Sequence, residues 1–251
     1  KEARRLIRQA KRLNPLSSIA VIGCYAQLKP EEIAAIDGVD LVIGSEEKFN
    51  LLDHLNELDQ KEDNTIIRSS IEHVHSFKPS YSIGDRTRSY LKVQDGCDYT
   101  CSFCTIPLAR GKSRSGNIQT TVKTAQEVAL KGVKEIVLTG VNIGDFGVGS
   151  DENLLQLLIE LDNIEGVERF RISSIEPNLL NNDIIAFCNT SKKFVPHFHI
   201  PLQSGSNKIL KGMRRRYDQT IYRKKINKIL SSNSETCIGV DVMVGFPSES
   251  D

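Results

Sequence analysis

Strand-like and helix-like segments alternate along the larger, C-terminal part of this chain. Short apolar runs typical of strands are predicted at residues 89–94, 135–139, 169–173, 197–200 and 238–244. Amphipathic segments typical of helices are predicted at residues 122–131, 153–162, 181–188, 206–213 and 219–230. This order predicts an α/β barrel or partial barrel of parallel strands, in which the chemistry lies at the carboxyl ends of the strands.

A second α/β pattern precedes the barrel-like part. An amphipathic helix is predicted at residues 1–13, a buried strand at 18–23, and then a helix, a strand and a helix at 30–36, 39–43 and 46–58. The alternation predicts a parallel α/β layer. Polar, weakly patterned residues separate the two parts, so the predicted domains are 1–58, a linker at 59–87, and 88–251.

Composition limits the kind of protein. The chain has 251 residues, a formal net charge of +1 and 39% hydrophobic residues, which is enough for an ordinary globular core. It has no apolar run of about 18 residues, as a membrane span needs, and no signal-peptide pattern. Its six cysteines show no regular pairing, which favours a reducing compartment and a metal-binding role. We therefore expect a cytoplasmic protein that does not contact membranes.

Three of the cysteines lie in one turn-rich loop after the first barrel strand. Cys97, Cys101 and Cys104 are spaced so that their thiolates can face one point. Soft thiolates suit iron–sulfur clusters and zinc, and a purely structural site for either uses four protein ligands. The next cysteine, Cys188, is far along the chain. The residues therefore predict a three-ligand [4Fe–4S] cluster with one open iron, or a zinc site completed by a distant residue.

The same loop carries a family resemblance. The pattern Cys97-x-x-x-Cys101-x-x-Cys104, with Phe103 before the last cysteine, resembles the signature of radical S-adenosylmethionine (SAM) enzymes. Residues 94–96 and 105–111 resemble the methylthiotransferases, and among them those that act on threonylcarbamoyladenosine in tRNA. The resemblance implies a truncated α/β N-terminal methylthiotransferase domain joined to a partial, TIM-like radical SAM barrel. It also implies an internal fragment of a longer protein, whose RNA-binding TRAM domain would follow.

Cys24 lies at the carboxyl end of the first predicted strand, where open α/β sheets place ligands. By pattern alone, a lone cysteine there is more typical of buried filler. However, residues 21–27 resemble the third cysteine motif of the methylthiotransferase N-terminal domain. The resemblance implies that Cys24 helps to hold a second [4Fe–4S] cluster, together with two earlier cysteines that this sequence does not contain.

Residues at the other predicted strand ends complete the expected cofactor site. A glycine such as Gly140 allows close approach to the backbone. The Ser173 and Glu176 pair suits ribose or the substrate base, although ordinary helix capping explains the same residues. The resemblance supports the first interpretation and implies that cofactor is bound by Phe103, Gly140, Asn142, Ser173, Glu176, Gln203, Gly245 and Phe246. No catalytic residue is assigned.

Basic residues suggest a surface for nucleic acid. Arginines and lysines follow the cysteine loop and recur around residues 211–228, where they suit RNA phosphates. A solvated helix face is the alternative here, as it is for the basic helix at 1–13. The resemblance favours RNA binding by Arg110, Arg114, Arg214, Arg215 and Arg216.

The resemblance also implies an activity. The family adds a methylthio group to carbon 2 of N6-threonylcarbamoyladenosine beside the anticodon, using SAM and two [4Fe–4S] clusters in the full-length protein. A 5′-deoxyadenosyl radical abstracts the hydrogen, and the sulfur and methyl group arrive by way of the second cluster. The expected partners of this monomer are tRNA and an electron donor such as flavodoxin or ferredoxin.

Two other functions remain open at this point. One is methylthiolation of isopentenyl-modified tRNA or of a ribosomal-protein aspartate. The other is a non-enzymatic, metal-stapled RNA-binding module. The residues after the loop, 107–115, resemble the threonylcarbamoyladenosine branch more closely than these alternatives.

Overall fold

The structure is a computed structural model that describes residues 2–56, 65–84 and 87–250. Residues 57–64, 85 and 86 lie outside the described residues, and of these 59–64, 85 and 86 belong to the predicted linker. The chain divides into two compact units, Lys1–Ser76 with Thr105–Lys112, and Phe77–Cys104 with Ser113–Asp251. Among the described helices, none combines the length and apolar character that crossing a membrane requires.

The first unit contains a small parallel sheet with helices. Its elements are α1 (Glu2–Leu13), β1 (Ala20–Ile22), α2 (Cys24–Leu28), α3 (Pro30–Ala34), β2 (Leu41–Ile43), α4 (Leu51–Asn56), β3 (Thr65–Ile67) and α5 (Ile106–Arg110). The strand order is β1-β2-β3, and both pairs are parallel, as the alternating pattern predicts. Strand β3 belongs to the segment predicted as a linker, so part of that segment completes the sheet.

Two local predictions in this unit need correction. The strand predicted as buried is the edge strand β1, and Ile22 is 48% exposed because only β2 pairs with it in the described sheet. The single helix predicted at 46–58 is a 3₁₀ turn, Glu47–Asn50, followed by the short helix α4. Central strand β2 is buried throughout, as the continuous apolar run predicts.

The second unit has the alternating order that the sequence predicts. Its first elements are β4 (Ser80–Tyr81), β5 (Arg88–Lys92), β6 (Gln94–Asp95), β7 (Arg114–Ser115), α6 (Ile118–Leu130), β8 (Glu135–Thr139) and α7 (Leu154–Asp162). The remaining elements are β9 (Arg169–Ile172), α8 (Asn182–Thr190), β10 (His197–His199), α9 (Asn207–Gly212), α10 (Gln219–Ser232) and β11 (Cys237–Gly239).

The strands of this unit form a parallel series. Strands β5, β8 and β9 are parallel neighbours, with β4 antiparallel at the edge. Strands β10 and β11 form a second parallel pair. Isolated parallel bridges, Phe170 to Phe194 and Ser174 to His199, connect the chain around β9 with that around β10. The α/β class and the partial barrel are therefore confirmed.

Buried side chains and helix caps explain why these elements form. The core includes Leu91, Ile136, Leu138, Phe170 and Phe198, all fully buried. The four longest helices of the unit each begin after a polar residue whose side chain accepts a hydrogen bond from a first-turn N–H. These caps are Asn117, Asn153, Asn181 and Asp218. The caps Asn153 and Asn181 begin α7 and α8 after the loops that follow β8 and β9.

The last strand is shorter than predicted. The apolar run at 238–244 predicts one long strand, but β11 ends at Gly239. Its partner β10 ends at His199, and beyond that point the backbones of residues 200–203 and 239–243 are joined by separate hydrogen bonds that do not continue the regular ladder. Beyond it, Val242 makes a single bridge to Gln203, and Val244 is 83% exposed.

Candidate functional site

The cysteine loop, residues 97–104, follows β6 at the carboxyl end of the first barrel strands. All three of its cysteines are free thiols; Cys101 is buried, and Cys97 and Cys104 are half-buried. The Tyr99 N–H donates to Cys97 Sγ over 3.4 Å, and the Cys104 N–H donates to the Cys101 carbonyl over 3.1 Å. The loop is thus folded back on itself with its thiols partly shielded from water.

The three thiols have the chemistry of a cluster donor set. The pKa of Cys97 is raised to about 11, mainly by burial and to a smaller extent by the charges of Asp145, Cys101 and Cys104. Thiolates are the usual protein ligands of an iron–sulfur cluster. Among the described residues, no three His, Cys, Asp or Glu side chains are arranged to hold a single metal ion. Three free thiols in one loop supply the kind of ligand that the predicted cluster needs.

Gln94 connects the cysteine loop to the next strand end. Its Nε2 donates to the Gly96 carbonyl over 2.8 Å, and its Oε1 accepts from the N–H groups of Val141 and Asn142 over 2.8 and 2.9 Å. A Cβ at Gly140 would lie 2.8 Å from Gln94 Oε1. In this structure, the close approach that Gly140 allows is therefore that of Gln94.

Two buried polar atoms at the strand ends have no hydrogen-bond partner among the described residues. They are Asn142 Oδ1 and Ser173 Oγ, which follow β8 and β9. The other end of the Asn142 amide donates to Asp145 over 2.9 Å, and burial raises the pKa of Asp145. Buried polar atoms are normally satisfied, so these two are suited to meet a bound group. Both belong to the predicted cofactor site.

Arg215 joins the cysteine loop to the end of β9. Its Nη1 donates to Cys101 Sγ over 3.1 Å, and its Nη2 makes an ion pair with Glu176. The Arg215 and Glu176 side chains are only 4% and 14% exposed. Burial raises the pKa of Glu176, and the Arg215 charge opposes that rise. The Glu176 carboxylate is therefore already paired with a cation.

This burial bears on one RNA-binding prediction. With 4% of its side chain exposed, Arg215 presents little guanidinium surface for the phosphate contact that the arginine run predicts. Its neighbour Arg214 is exposed and has a φ of 58°. That left-handed residue redirects the chain after α9, so consecutive arginines point in different directions.

Arg216 and Tyr99 form a second contact between the same two segments. The Arg216 guanidinium lies 3.9 Å from the centroid of the Tyr99 ring, and its Nη2 donates to the Asp98 carbonyl over 3.0 Å. The Tyr99 hydroxyl accepts from Asn178 over 2.6 Å. Arg216 is exposed on its other side, so it remains accessible to an anion.

The other two arginines of the predicted RNA surface lie in different units. Arg114 pairs with Asp95 at 3.6 Å and is 14% exposed, which leaves little of it for phosphate. Arg110 ends α5 in the first unit. The five predicted arginines are thus divided between the two units, with Arg110 in the first and the other four in the second.

The remaining predicted cofactor residues occupy loops of the second unit. Phe103 is 38% exposed in the cysteine loop. Gln203 has a φ of 62°, and its N–H and carbonyl bond to Asp241 and Met243, each over 2.8 Å. Gly245 has a φ of 73°, a conformation that favours glycine. The Phe246 ring lies 3.3 Å from where a Cβ on Gly212 would stand.

A polar trio at the ends of β9, β10 and β11 was not predicted. His199 Nδ1 lies 2.6 Å from Ser174 Oγ, and His199 Nε2 lies 3.4 Å from Asp241 Oδ1. The sequence gives no sign of these contacts, because the three residues belong to separate parts of the chain. Gln94, Tyr99 and Asn178 were missed for the same reason, since their contacts join distant parts of the chain.

Cys24 lies in the first unit and is exposed, as the first residue of α2. Its exposure contradicts the interpretation as buried filler. The preceding Gly23 has a φ of 114°, which a side chain rarely adopts, so the turn that presents Cys24 needs glycine.

Comparison with known proteins gives consistent results. Threonylcarbamoyladenosine tRNA methylthiotransferase MtaB of Bacillus subtilis (strain 168) is 41% identical over 257 residues, covering 100% of this chain and 56% of the relative. A tRNA-2-methylthio-N(6)-dimethylallyladenosine synthase of Rickettsia rickettsii (strain Sheila Smith) is 35% identical over 239 residues, covering 93% of this chain and 54% of the relative. The chain thus spans about half the length of these curated relatives.

A solved structure and a family model address the fold and the family. The radical S-adenosylmethionine methyltransferase TsrM from Kitasatospora setae matches with a TM-score of 0.69 at 12% identity, covering 96% of this chain and 52% of that one. At that identity the likeness supports the fold alone. A family model described as the radical SAM superfamily matches residues 91–251. That match includes the whole cysteine loop and well over half of the sequence, so the chain belongs to the radical SAM superfamily.

Proposed function

We propose that this chain belongs to a tRNA methylthiotransferase that modifies carbon 2 of N6-threonylcarbamoyladenosine next to the anticodon. The observation that carries the proposal is the cysteine loop at the strand ends of a radical SAM barrel, in a chain 41% identical to an MtaB enzyme along its whole length. The cofactors are SAM and a [4Fe–4S] cluster, with a second cluster in the full-length protein.

The cluster ligands in this proposal are Cys97, Cys101 and Cys104. When bound, the reduced cluster and SAM supply a 5′-deoxyadenosyl radical. The chain contributes orientation: three ligands leave a coordination position for SAM, and the loop buries Cys101 to 8% exposure. Asn142 and Ser173 offer their unpartnered oxygens to the bound nucleoside or amino acid groups.

The other predicted cofactor residues keep supporting roles. Phe103, Gln203, Gly245 and Phe246 lie in loops of the barrel unit and are proposed to contact SAM. Glu176 acts through its ion pair with Arg215. Because Gly140 has no side chain, Gln94 can approach the loop after β8 and hold it by hydrogen bonds to the Val141 and Asn142 N–H groups.

The alternatives are less well supported. The dimethylallyl-specific relative is 35% identical, compared with 41% for the threonylcarbamoyl-specific one. A metal-stapled RNA-binding module would not require unpartnered polar atoms at the strand ends. A tRNA substrate places the reaction in the cytoplasm, where a flavodoxin or ferredoxin would supply the electrons and the enzyme would act as a monomer.

Mass spectrometry of tRNA nucleosides tests this function. Cells that lack the full-length gene should lose 2-methylthio-N6-threonylcarbamoyladenosine and accumulate N6-threonylcarbamoyladenosine, because only the last step is missing. The dimethylallyl-derived nucleoside serves as the internal control and should stay at its normal level. Loss of that nucleoside instead would assign the enzyme to the other branch, and unchanged levels of both would contradict a tRNA methylthiotransferase.

The RNA-binding surface of the barrel unit makes a separate prediction. Arg214 is the exposed member of the arginine run without a contact to the cysteine loop. Arg214→Ala should reduce the salt dependence of tRNA binding by roughly 0.7 to 0.9 in the slope of log affinity, the value for one phosphate contact. Titrations at several salt concentrations measure it. Lys123→Ala, which removes an exposed cation on α6 outside the predicted RNA-binding run, is the matched control, and equal slopes for both variants would show Arg214 to be only a solvated residue.

A further inference from the structure

We propose that Arg215 is a positioning residue for the iron–sulfur cluster, acting through Cys101 and held in place by Glu176. The inference rests on the proposed cluster ligation by Cys97, Cys101 and Cys104. It replaces the RNA-binding role that the arginine run predicts for this residue. It is argued from the contacts between the cysteine loop and the segment 212–216 at the end of α9.

The segment 212–216 holds the cysteine loop along its backbone. The Ser102 N–H donates to the Met213 carbonyl over 3.2 Å, and the Ser102 hydroxyl donates to the Gly212 carbonyl over 3.1 Å. Arg216 adds its bond to the Asp98 carbonyl and its stacking on Tyr99. Two parts of the chain more than a hundred residues apart are thereby fixed to each other on either side of Cys101.

Arg215 differs from these contacts because it reaches a sulfur atom. Its guanidinium uses separate nitrogens for Cys101 Sγ and for the Glu176 carboxylate. A planar guanidinium can satisfy both partners at once, which the single ammonium of lysine does less well. With 4% of the side chain exposed, water does not compete for either contact. The remaining nitrogen, Arg215 Nε, has no partner among the described residues.

The arrangement has an electronic consequence for a cluster bound at Cys101. Hydrogen bonds to the ligating sulfurs and nearby charge set the reduction potential of an iron–sulfur cluster. A cation that donates to Sγ stabilises the reduced, more negative state, while the Glu176 carboxylate offsets part of that charge. The ion pair therefore sets the net charge next to the Cys101 sulfur. Removing the Arg215 charge and removing the Glu176 charge should shift the reduction potential of the cluster in opposite directions.

The test compares Arg215→Met and Glu176→Gln in the intact protein with its cluster reconstituted. Arg215→Met should make the reduction potential more negative, and Glu176→Gln should make it more positive. Arg215→Met should also accelerate iron loss to a chelator by about 10- to 100-fold, the range typical for removing a group that orients a metal ligand. Redox titration followed by electron paramagnetic resonance, and chelator kinetics, measure these effects without any turnover.

Controls separate this role from folding and from the cysteine assignment. Arg223→Met, the same change on an exposed face of α10, should leave the potential and iron retention unchanged. Melting of the cluster-free proteins checks that each variant folds, and Arg215→Lys, which keeps the charge, replaces Arg215→Met if that variant does not fold. Unchanged potentials and chelator kinetics in the folded variants, or shifts of the same sign, would overturn the inference. A parent protein that takes up no cluster would instead overturn the assignment of the three cysteines.

Discussion

Replacing Cys97, Cys101 or Cys104 with alanine should reduce cleavage of SAM to 5′-deoxyadenosine to background. Each change removes one of three thiolates, and the other free cysteines of the barrel unit are not spare donors, since Cys188 is 3% exposed in its core and Cys237 lies at the amino end of β11. Iron and sulfide content after anaerobic reconstitution should fall together with the activity. Quantification of 5′-deoxyadenosine by liquid chromatography measures the loss.

A matched control distinguishes loss of a ligand from general damage. Cys237 is an exposed cysteine of the same unit, in β11, and has no place in the proposed site. Cys237→Ala should retain the cluster and the rate of SAM cleavage. Normal 5′-deoxyadenosine production by any one of the three loop variants would contradict the assignment, and tight binding of zinc without iron would favour the metal-stapled module.

The regular elements of the barrel unit were predictable because their signals are local. Strand β8 has the predicted bounds, because a strand buried on both faces appears in the sequence as a short, continuous apolar run. The caps Asn153 and Asn181 mark their helices in the same way. The predicted end of strand β11 was wrong because the length of a strand depends on its partner. The apolar residues Val242 and Val244 continue the sequence pattern after the ladder with β10 has ended.

The site was predictable at the level of its cysteines and only partly beyond them. Spacing and resemblance identified the loop, but they could not give the direction of each side chain in the arginine run. The left-handed conformation of Arg214 sends Arg215 inward, and nothing in three consecutive arginines indicates that. Gln94 is a similar case. Its five hydrogen bonds join the ends of two strands, and a buried glutamine carries no sequence signal for such contacts.

Cys24→Ala in the full-length protein should abolish formation of the methylthio nucleoside while leaving SAM cleavage to 5′-deoxyadenosine at its normal rate. The expectation rests on the proposed second cluster, which uses Cys24 and two cysteines outside this sequence. Cys24 is exposed at the start of α2, where the left-handed Gly23 presents it, so its removal leaves no cavity in the core of the first unit. Loss of stability is therefore not expected to explain a loss of product.

Two measurements on the Cys24→Ala protein separate the two clusters. Iron content should fall by about half, because a four-iron cluster is lost and a four-iron cluster remains. Mass spectrometry of tRNA nucleosides should then detect no methylthio product, although 5′-deoxyadenosine still accumulates in the same reaction. Cys237→Ala, also an exposed cysteine, should retain both products and all of the iron. A Cys24→Ala protein that forms the methylthio nucleoside at the parent rate would show that this thiol holds no cluster needed for sulfur transfer, and would leave the radical chemistry of the barrel unit unaffected.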